Sequence, residues 1–528
     1  MVPEVASLML AVFRFTCLLG FLALLNACDL GPSPDADTIY LNGTILTMAD
    51  PPTANALSVR DGKIQAIGTQ DGVLRHKGNH TRVVDLNGQT LLPGFYASHT
   101  LLAAEVATMG SMEAAQNAYA SQGFTTVVDG YADTASVKQL QDAALSDKLS
   151  LDFIALPLYS DAEALLKDKS WSFGSYRRRL KLGGVKLVLD GDSRDLSAWL
   201  ALPYHSAPGK PENWRGEPLI PFSELAAFYR QAIKRHLQVF THAVGDAAID
   251  AIIQVAYEVK LSAEQNQRHV VLFSRFMRRN QLEQFAKLGL IPCFNSSQIY
   301  LQGDADLQYV GQASGEFQSP MKSAQTLNLP FSNHCQLPPQ SQDSTTNGNN
   351  PPRSDGDSDS DSDSDSESNG NDNGNGSGNN NSNNAPQSTE HLPVSLLAIW
   401  SSVNRLSQSG VILGPDERID PDTALKALTI QAAYQFFEDD TKGSLSPGKL
   451  ADMVILSDNP LTIAPGMLRE IRVLETIKEG KTIFSQRTAA PASAISDTAL
   501  PAKDTEKATE TDTSEPPAAG HSSIPPVN

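Results

Sequence analysis

The sequence predicts an α/β fold, a TIM-like (β/α)8 barrel inserted into a composite β-sandwich built from both chain ends. Three observations lead there. Residues Thr38 to Leu92 alternate apolar and polar positions around Asn-Gly and Asp-Gly dipeptides, the strongest local hairpin signals. From Phe95 onward, short runs that are apolar on both faces alternate with amphipathic helical stretches, the pattern of a buried parallel sheet. After residue 440 the hairpin texture returns.

Taken in order, TIYLNGTILTM, ALSVRDGKIQAIG and TRVVDLNGQTLLPG form the first antiparallel sheet, over residues 37–92. The barrel, residues 93–440, opens on the run Leu91 to Leu101. Its further strands are Thr125–Asp129, Leu151–Leu158, Val185–Gly191, Leu237–His242, His269–Phe273, Leu290–Phe294 and Leu329–Asn333. Helices are expected at Met112–Ser121, Phe222–Arg235, Ala247–Val259, Asn280–Leu288, Pro393–Leu406 and Asp420–Phe437. Close to eight strands favours a closed barrel, with its site at the strand C-termini. Residues 441–487 complete the sandwich.

Residues 340–390 are an Asp-Ser repeat followed by an Asn-Gly tract, with too few apolar residues to offset the entropy of ordering; a solvated spacer is expected there. Residues 488–528, rich in Ala, Pro, Thr and Glu, read the same way. Of the net charge of −19, nine units come from Asp343 to Glu390, where ten acidic residues face Arg353 alone. An acidic body of this kind argues against nucleic acid as a partner, because phosphate contacts need clustered Lys and Arg.

At the N-terminus, Arg14 precedes an apolar run from Phe15 to Leu25, short for a spanning helix and fitting for an export signal. Leu25-Asn26-Ala27-Cys28 resembles a bacterial lipobox, which implies a signal peptide over residues 1–27 and lipidation at Cys28. Asp29 resembles an inner-membrane retention signal, and residues 28–36 read as a tether. The expected location is the periplasmic face of the inner membrane of a Gram-negative bacterium, with the lipid anchor holding the chain to the membrane. Of the four cysteines, Cys17, Cys28, Cys293 and Cys335, the last two are expected as unpaired core thiols, with a single disulfide between them as the alternative.

Several motifs occur in a fixed order: LLPGF before the first barrel strand, VKLVLDG with AWLALPYH, THAVGDAAID at Thr241–Asp250, LGPDERIDPDTALKALTIQAA, and GSLSPGKLADMVIL at Gly443–Leu456. Together they resemble the amidohydrolase superfamily, most closely amidohydrolase family 3. The resemblance implies metal-dependent hydrolysis of non-peptide C–N bonds in a small amide-type substrate, with zinc or another divalent ion activating a water. It places His99, Lys186, His242 and His334 as the candidate metal ligands. It also places Leu101 and Phe273 where ligands are expected, Ala97 at a position often held by Asp, Ser297 near a further histidine position, and Gln336 at the catalytic Asp. Leu and Phe have no donor atom, and an amide cannot serve as a general base at neutral pH. Tyr204, His205 and Trp214 fall in a loop over the barrel mouth, as pocket lining or as anchors. Asp190 and Asp192 read as turn residues rather than a paired acid and base. The expectation is therefore a family member whose hydrolysis is impaired; the alternative is an inactive, membrane-anchored binding or scaffold lipoprotein. Oligomeric state is not legible.

Overall fold

A computed structural model describes residues 34–167, 171–335, 337 and 393–487. The export signal, Cys28, Gln336, the acidic insert and the C-terminal tail lie outside the described residues.

The first seven strands are β1 (Thr38–Leu41), β2 (Thr44–Leu46), β3 (Thr53–Ala54), β4 (Ala56–Arg60), β5 (Lys63–Gly68), β6 (Arg82–Asp85) and β7 (Thr90–Pro93). The barrel region supplies β8 (Phe95–Thr100), β9 (Phe124–Ala132), β10 (Asp152–Pro157), β11 (Tyr176–Arg177), β12 (Leu180–Leu182), β13 (Val185–Val188), β14 (Val239–Ala243), β15 (Val270–Phe273), β16 (Ile291–Phe294) and β17 (Ser332–Asn333). The chain returns with β18 (Met453–Leu456), β19 (Val473–Lys478) and β20 (Lys481–Ser485).

One sandwich sheet runs β5-β4-β1-β6 and the other β20-β19-β18-β7-β2-β3, so strands from both chain ends share a sheet. The joint is the antiparallel ladder that pairs Met453 with Pro93 and Leu456 with Thr90. Tyr40, Leu57 and Val59 from one sheet pack against Ile45, Leu91, Met453 and Ile455 from the other, closing an apolar layer. The opposite face of the second sheet, through Leu92, Val454 and Leu456, packs into the main barrel core.

The barrel is drawn in two parallel arcs, β12-β10-β9-β8 and β13-β14-β15-β16-β17. A parallel bridge between Leu158 and Lys186 joins them on one side. On the other side the ends of β8 and β17 approach, with the His99 and His334 rings 5.3 Å apart. Tyr96, Val128, Ile154, Phe240, Val270, Leu272, Ile291 and Cys293 fill the interior, inward positions of successive strands. Helix ends are capped as their sequences dictate: Ser111 accepts from Ala114 N, Asp133 from Ser136 N, and Asp420 from Thr423 N ahead of a proline in the first turn.

Three elements depart from the sequence reading. The first barrel strand stops at Thr100, and Leu101, 43% exposed, starts a helix over Leu102–Met109 instead of completing the strand. The expected helix Asp420–Phe437 is split at Thr429, whose φ of −125° and ψ of −98° end one helix and begin the next. The strand expected from Leu329 is reduced to Ser332–Asn333, because only these residues find ladder partners on β16. Cys293 and Cys335 are buried free thiols.

Candidate active site at the barrel mouth

Each barrel strand delivers its C-terminal residues to the same end of the barrel. His99 stands where the β8–β9 ladder slips register between Ala97 and Thr100, and it is 2% exposed. Its ring fits only because Gly130 lies opposite: a Cβ there would come within 2.2 Å of His99 Cδ2. Lys186 on β13 is also buried, and its Nζ lies 2.7 Å from His99 Nε2. An ammonium donates only, so beside a charged Lys186 the His99 ring accepts at Nε2 and keeps its proton on Nδ1. That Nδ1 has no partner among the described residues. Asp129, three residues before the end of β9, is buried with Oδ2 likewise unpartnered.

His242 on β14 and His334 after β17 complete a cluster of three imidazoles. His242 Nδ1 lies 3.7 Å from Asp190 Oδ1, too far for a hydrogen bond. Asp190 is occupied elsewhere, accepting from the backbone N–H groups of Val244 and Gly245 at 2.8 Å and Trp199 at 3.0 Å. Neither ring nitrogen of His334 has a partner among the described residues. Burial, with Lys186 adding to it, pulls His99 well below the ordinary imidazole range and His242 and His334 down to about 3. The three rings are therefore neutral at pH 7. Burial also lowers Lys186 to about 7, against the pull of Asp129, and raises Asp129 to about 6 and Asp190 to about 7.

Phe273 occupies the centre of this cluster. Val270 and Leu272 already take the inward positions of β15, so strict alternation would turn residue 273 outward. Its φ of +72°, followed by +45° at Ser274, breaks the alternation and swings the ring into the mouth. The ring centroid lies 4.4 Å from that of His242, 4.7 Å from His334 and 5.3 Å from His99. A left-handed backbone is an outlier for a bulky aromatic residue, and such outliers persist only when their surroundings hold them. Here the surroundings are apolar on two sides, since Phe273 packs against both the barrel interior and the Leu196–Tyr204–Val244–Phe276 cluster above it.

The donor set sets a limit on metal chemistry. A catalytic zinc takes about three protein ligands and keeps one position open. The mouth holds unpartnered ring nitrogens, yet among the described residues no three His, Cys, Asp or Glu side chains converge to hold an ion. The Phe273 ring packs against all three imidazoles. The described residues do not fit the family's metal centre.

Other expected residues lie around the rim. Tyr204 is buried and donates to Ala198 O at 2.9 Å, and Trp214 Nε1 donates to Leu196 O at 2.6 Å. Both anchor the loop between β13 and the helix Phe222–Lys234. His205 is exposed and held through its backbone N–H to Tyr309 O. Ser297 opens the helix Ser297–Tyr309, with its Oγ buried and unpartnered among the described residues. Asp192 accepts from Arg194 N in a turn. Asp129 was visible in the sequence only as a strand boundary, although a carboxylate at the C-terminal end of a barrel strand is itself a signal.

The family model described as the amidohydrolase family matches residues 97–330 and 392–484. The chain belongs to the amidohydrolase family. His99, Lys186, His242 and Phe273 fall inside the matched segments of this amidohydrolase, and His334 falls just outside them. Among solved structures it is similar to a metal-dependent hydrolase of Pyrococcus furiosus, with TM-score 0.60 and 16% identity over 80% of this chain and 100% of that one. It is also similar to the guanine deaminase of E. coli, with TM-score 0.52 and 13% identity over 85% and 99%. These likenesses show the shared fold. Among curated proteins, the N-substituted formamide deformylase of Arthrobacter pascens is 37% identical over 82 residues, 16% of this chain and 15% of that protein. Protein LONG AFTER FAR-RED 3 of Arabidopsis thaliana is 27% identical over 356 residues, 64% of this chain. The amidohydrolase chain spans about half of the latter, 51%, and a much smaller part of the former.

Proposed function

We propose that this chain is an amidohydrolase-family protein in which metal-dependent hydrolysis of small amide-type C–N bonds is strongly impaired, and that it works at a membrane surface as a lipid-anchored binding protein. Phe273 carries the reading. Its ring fills the volume in which His99, His242 and His334 would share an ion. Gln336, where the family places its catalytic Asp, adds to it from the sequence. The opposing reading, a reduced mononuclear hydrolase, is favoured by one observation: both His334 nitrogens and one nitrogen each of His99 and His242 lack partners.

Elemental analysis of the full chain after zinc loading separates the two. The impaired reading expects under about a tenth of an equivalent, and about one equivalent in Phe273→His, whose side chain restores a donor on a backbone conformation that His tolerates better than Phe. A stoichiometric metal in the unaltered chain, lost in His242→Ala and accompanied by hydrolysis of an N-substituted formamide, overturns it. The anchor rests on Leu25–Cys28 and is tested separately by fractionation: Cys28→Ala moves the chain from the membrane to the soluble exported fraction. If the distribution is unchanged, the anchor is not at Cys28.

A further inference from the structure

The opposite end of the barrel carries two cavities that the family chemistry does not use. The first, about 300 Å³, is lined by Phe173, Leu237, Gln238, His269, Phe436 and Phe437. The second, about 400 Å³, lies on the seam between barrel and sandwich and is lined by Lys63, Asp152, Tyr176, Arg179, Glu438 and Lys442, among others. Gly174, Lys181 and Phe437 line both, so the two are lobes of one depression. Seams between sheet layers are a usual place for small-molecule sites, and this volume is in their range.

The lobes differ in chemistry. The first is apolar, with three phenylalanine rings, and its histidine is internally satisfied: His269 Nδ1 accepts from Val239 N, and Nε2 lies 2.7 Å from Gln267 Oε1. In the second lobe every carboxylate is already paired. Asp152 meets Lys442, Lys478 and Arg179; Glu438 meets Lys181 and Lys442; Glu479 meets Arg179. Lys63 is exposed and has no ion pair among the described residues. Lys181 Nζ donates to Phe436 O at 2.7 Å and Glu438 Oε1 at 3.0 Å, which uses two of the three donors of an ammonium. The surplus of donors and of positive charge therefore sits in the lobe next to the aromatic one. Phe437, which divides them, is 49% exposed with a φ of +58°, and its ring lies 4.4 Å under the Arg268 guanidinium. Its positive φ is that of the residue closing a helix C-terminus, with Phe437 N donating to Tyr434 O and Glu438 N to Ala433 O, and this capping fixes the ring at the lip of the cavity.

We infer that this depression is a binding site for a small organic monoanion, an aromatic or branched carboxylate, with its apolar body against Phe173, Phe436 and Phe437 and its carboxylate in the lobe that Lys181 and Lys63 line. The site is independent of the chemistry at the barrel mouth.

Three probes of one shape test it on the full chain by titration calorimetry: 3-phenylpropionate, its neutral amide and 3-phenylpropylamine. The carboxylate binds about tenfold more tightly than the amide, and the amine binds weakest. Lys63→Glu weakens the carboxylate about fivefold and leaves the amide unchanged, as expected for one exposed charge contact. Phe437→Ala, at a half-exposed position that does not threaten the fold, weakens carboxylate and amide alike about tenfold. His242→Ala, at the other end of the barrel, changes none of these values. Equal affinity for the three probes, or no binding of any of them, overturns the proposal. So does loss of binding in His242→Ala with no effect of Lys63→Glu or Phe437→Ala, which would put the probe in the mouth.

Discussion

The two ends of the barrel treat buried polar groups in opposite ways. At the floor, Asp152, Glu438, Asp452, Lys181, Lys442 and Lys478 are all buried and all held in ion pairs, with N–O distances of 2.5–3.2 Å. Burial alone would push Asp152 and Glu438 up, but the surrounding lysines hold both below the usual carboxylate range. At the mouth, burial outweighs the hydrogen bonds and the Lys186–Asp129 attraction that oppose it. His99, His242 and His334 are pushed towards neutrality, and Asp129 and Asp190 towards the protonated form. Charge is compensated where the barrel meets the sandwich and avoided where the family does its chemistry. The floor network is the architecture of a joint. The mouth, with an aromatic ring among neutral imidazoles, is that of an interior.

The comparison is broken most severely by removing one member of the floor network. Asp152→Ala leaves the Lys442 and Lys478 ammonium groups buried without their common partner, and should cost about 3–5 kcal/mol in denaturant-induced unfolding. A loss under about 1 kcal/mol would mean the network is hydrated and not a joint. Next in size, Gly130→Ala drives a methyl group against His99, which is fully walled in, and should cost about 1–3 kcal/mol while displacing His99 from Lys186. A stability equal to that of the unaltered chain would show that the mouth is loosely packed.

The smallest effect is read as a slope. His99, His242, His269 and His334 bind their protons far less readily folded than unfolded, so their contribution is present above about pH 6.5 and is lost as pH falls. Asp129 and Asp190, raised from 3.8 to about 6 and about 7, act in the opposite sense, and their contribution is lost as pH rises. Four histidines against two carboxyls leave stability rising with pH by about two protons between about pH 4 and 6. His242→Asn should reduce that slope by about one proton, and Asp190→Asn should raise it by about one. Identical slopes in all three chains would show that the mouth is open to water.

Much of the architecture could be read from local signals, because those signals were local in origin. Asn42-Gly43, Asp61-Gly62 and Asn87-Gly88 sit at left-handed or turn positions between strands, as such pairs do. Buried parallel strands declare themselves by being apolar on both faces, and the helix at Met112–Ser121 lies where its pattern placed it. His99 and His242 stand near the C-terminal ends of their strands and His334 just past β17, while Lys186, second in β13, reaches them through its long side chain. What the residues do not announce is backbone torsion and distance. Nothing in the run RHVVLF says that Phe273 takes a positive φ, and nothing near Asp152 predicts partners 290 and 326 positions away. Thr429, whose side chain bonds back to Leu425 O, interrupts a pattern that reads as one continuous helix.

The ladder between β7 and β18 bears on the order in which the protein is made. β7 ends at Pro93, and the strand that lies against it begins only at Met453. A chain emerging from its N-terminus therefore presents β2, β3 and β7 with one edge of that sheet unpaired while the whole barrel is still to come. Such an edge can pair with another copy of itself. Until the last strands arrive, the incomplete chain depends on being kept apart from its neighbours, so a truncation just before Met453 is expected to aggregate rather than yield a free barrel.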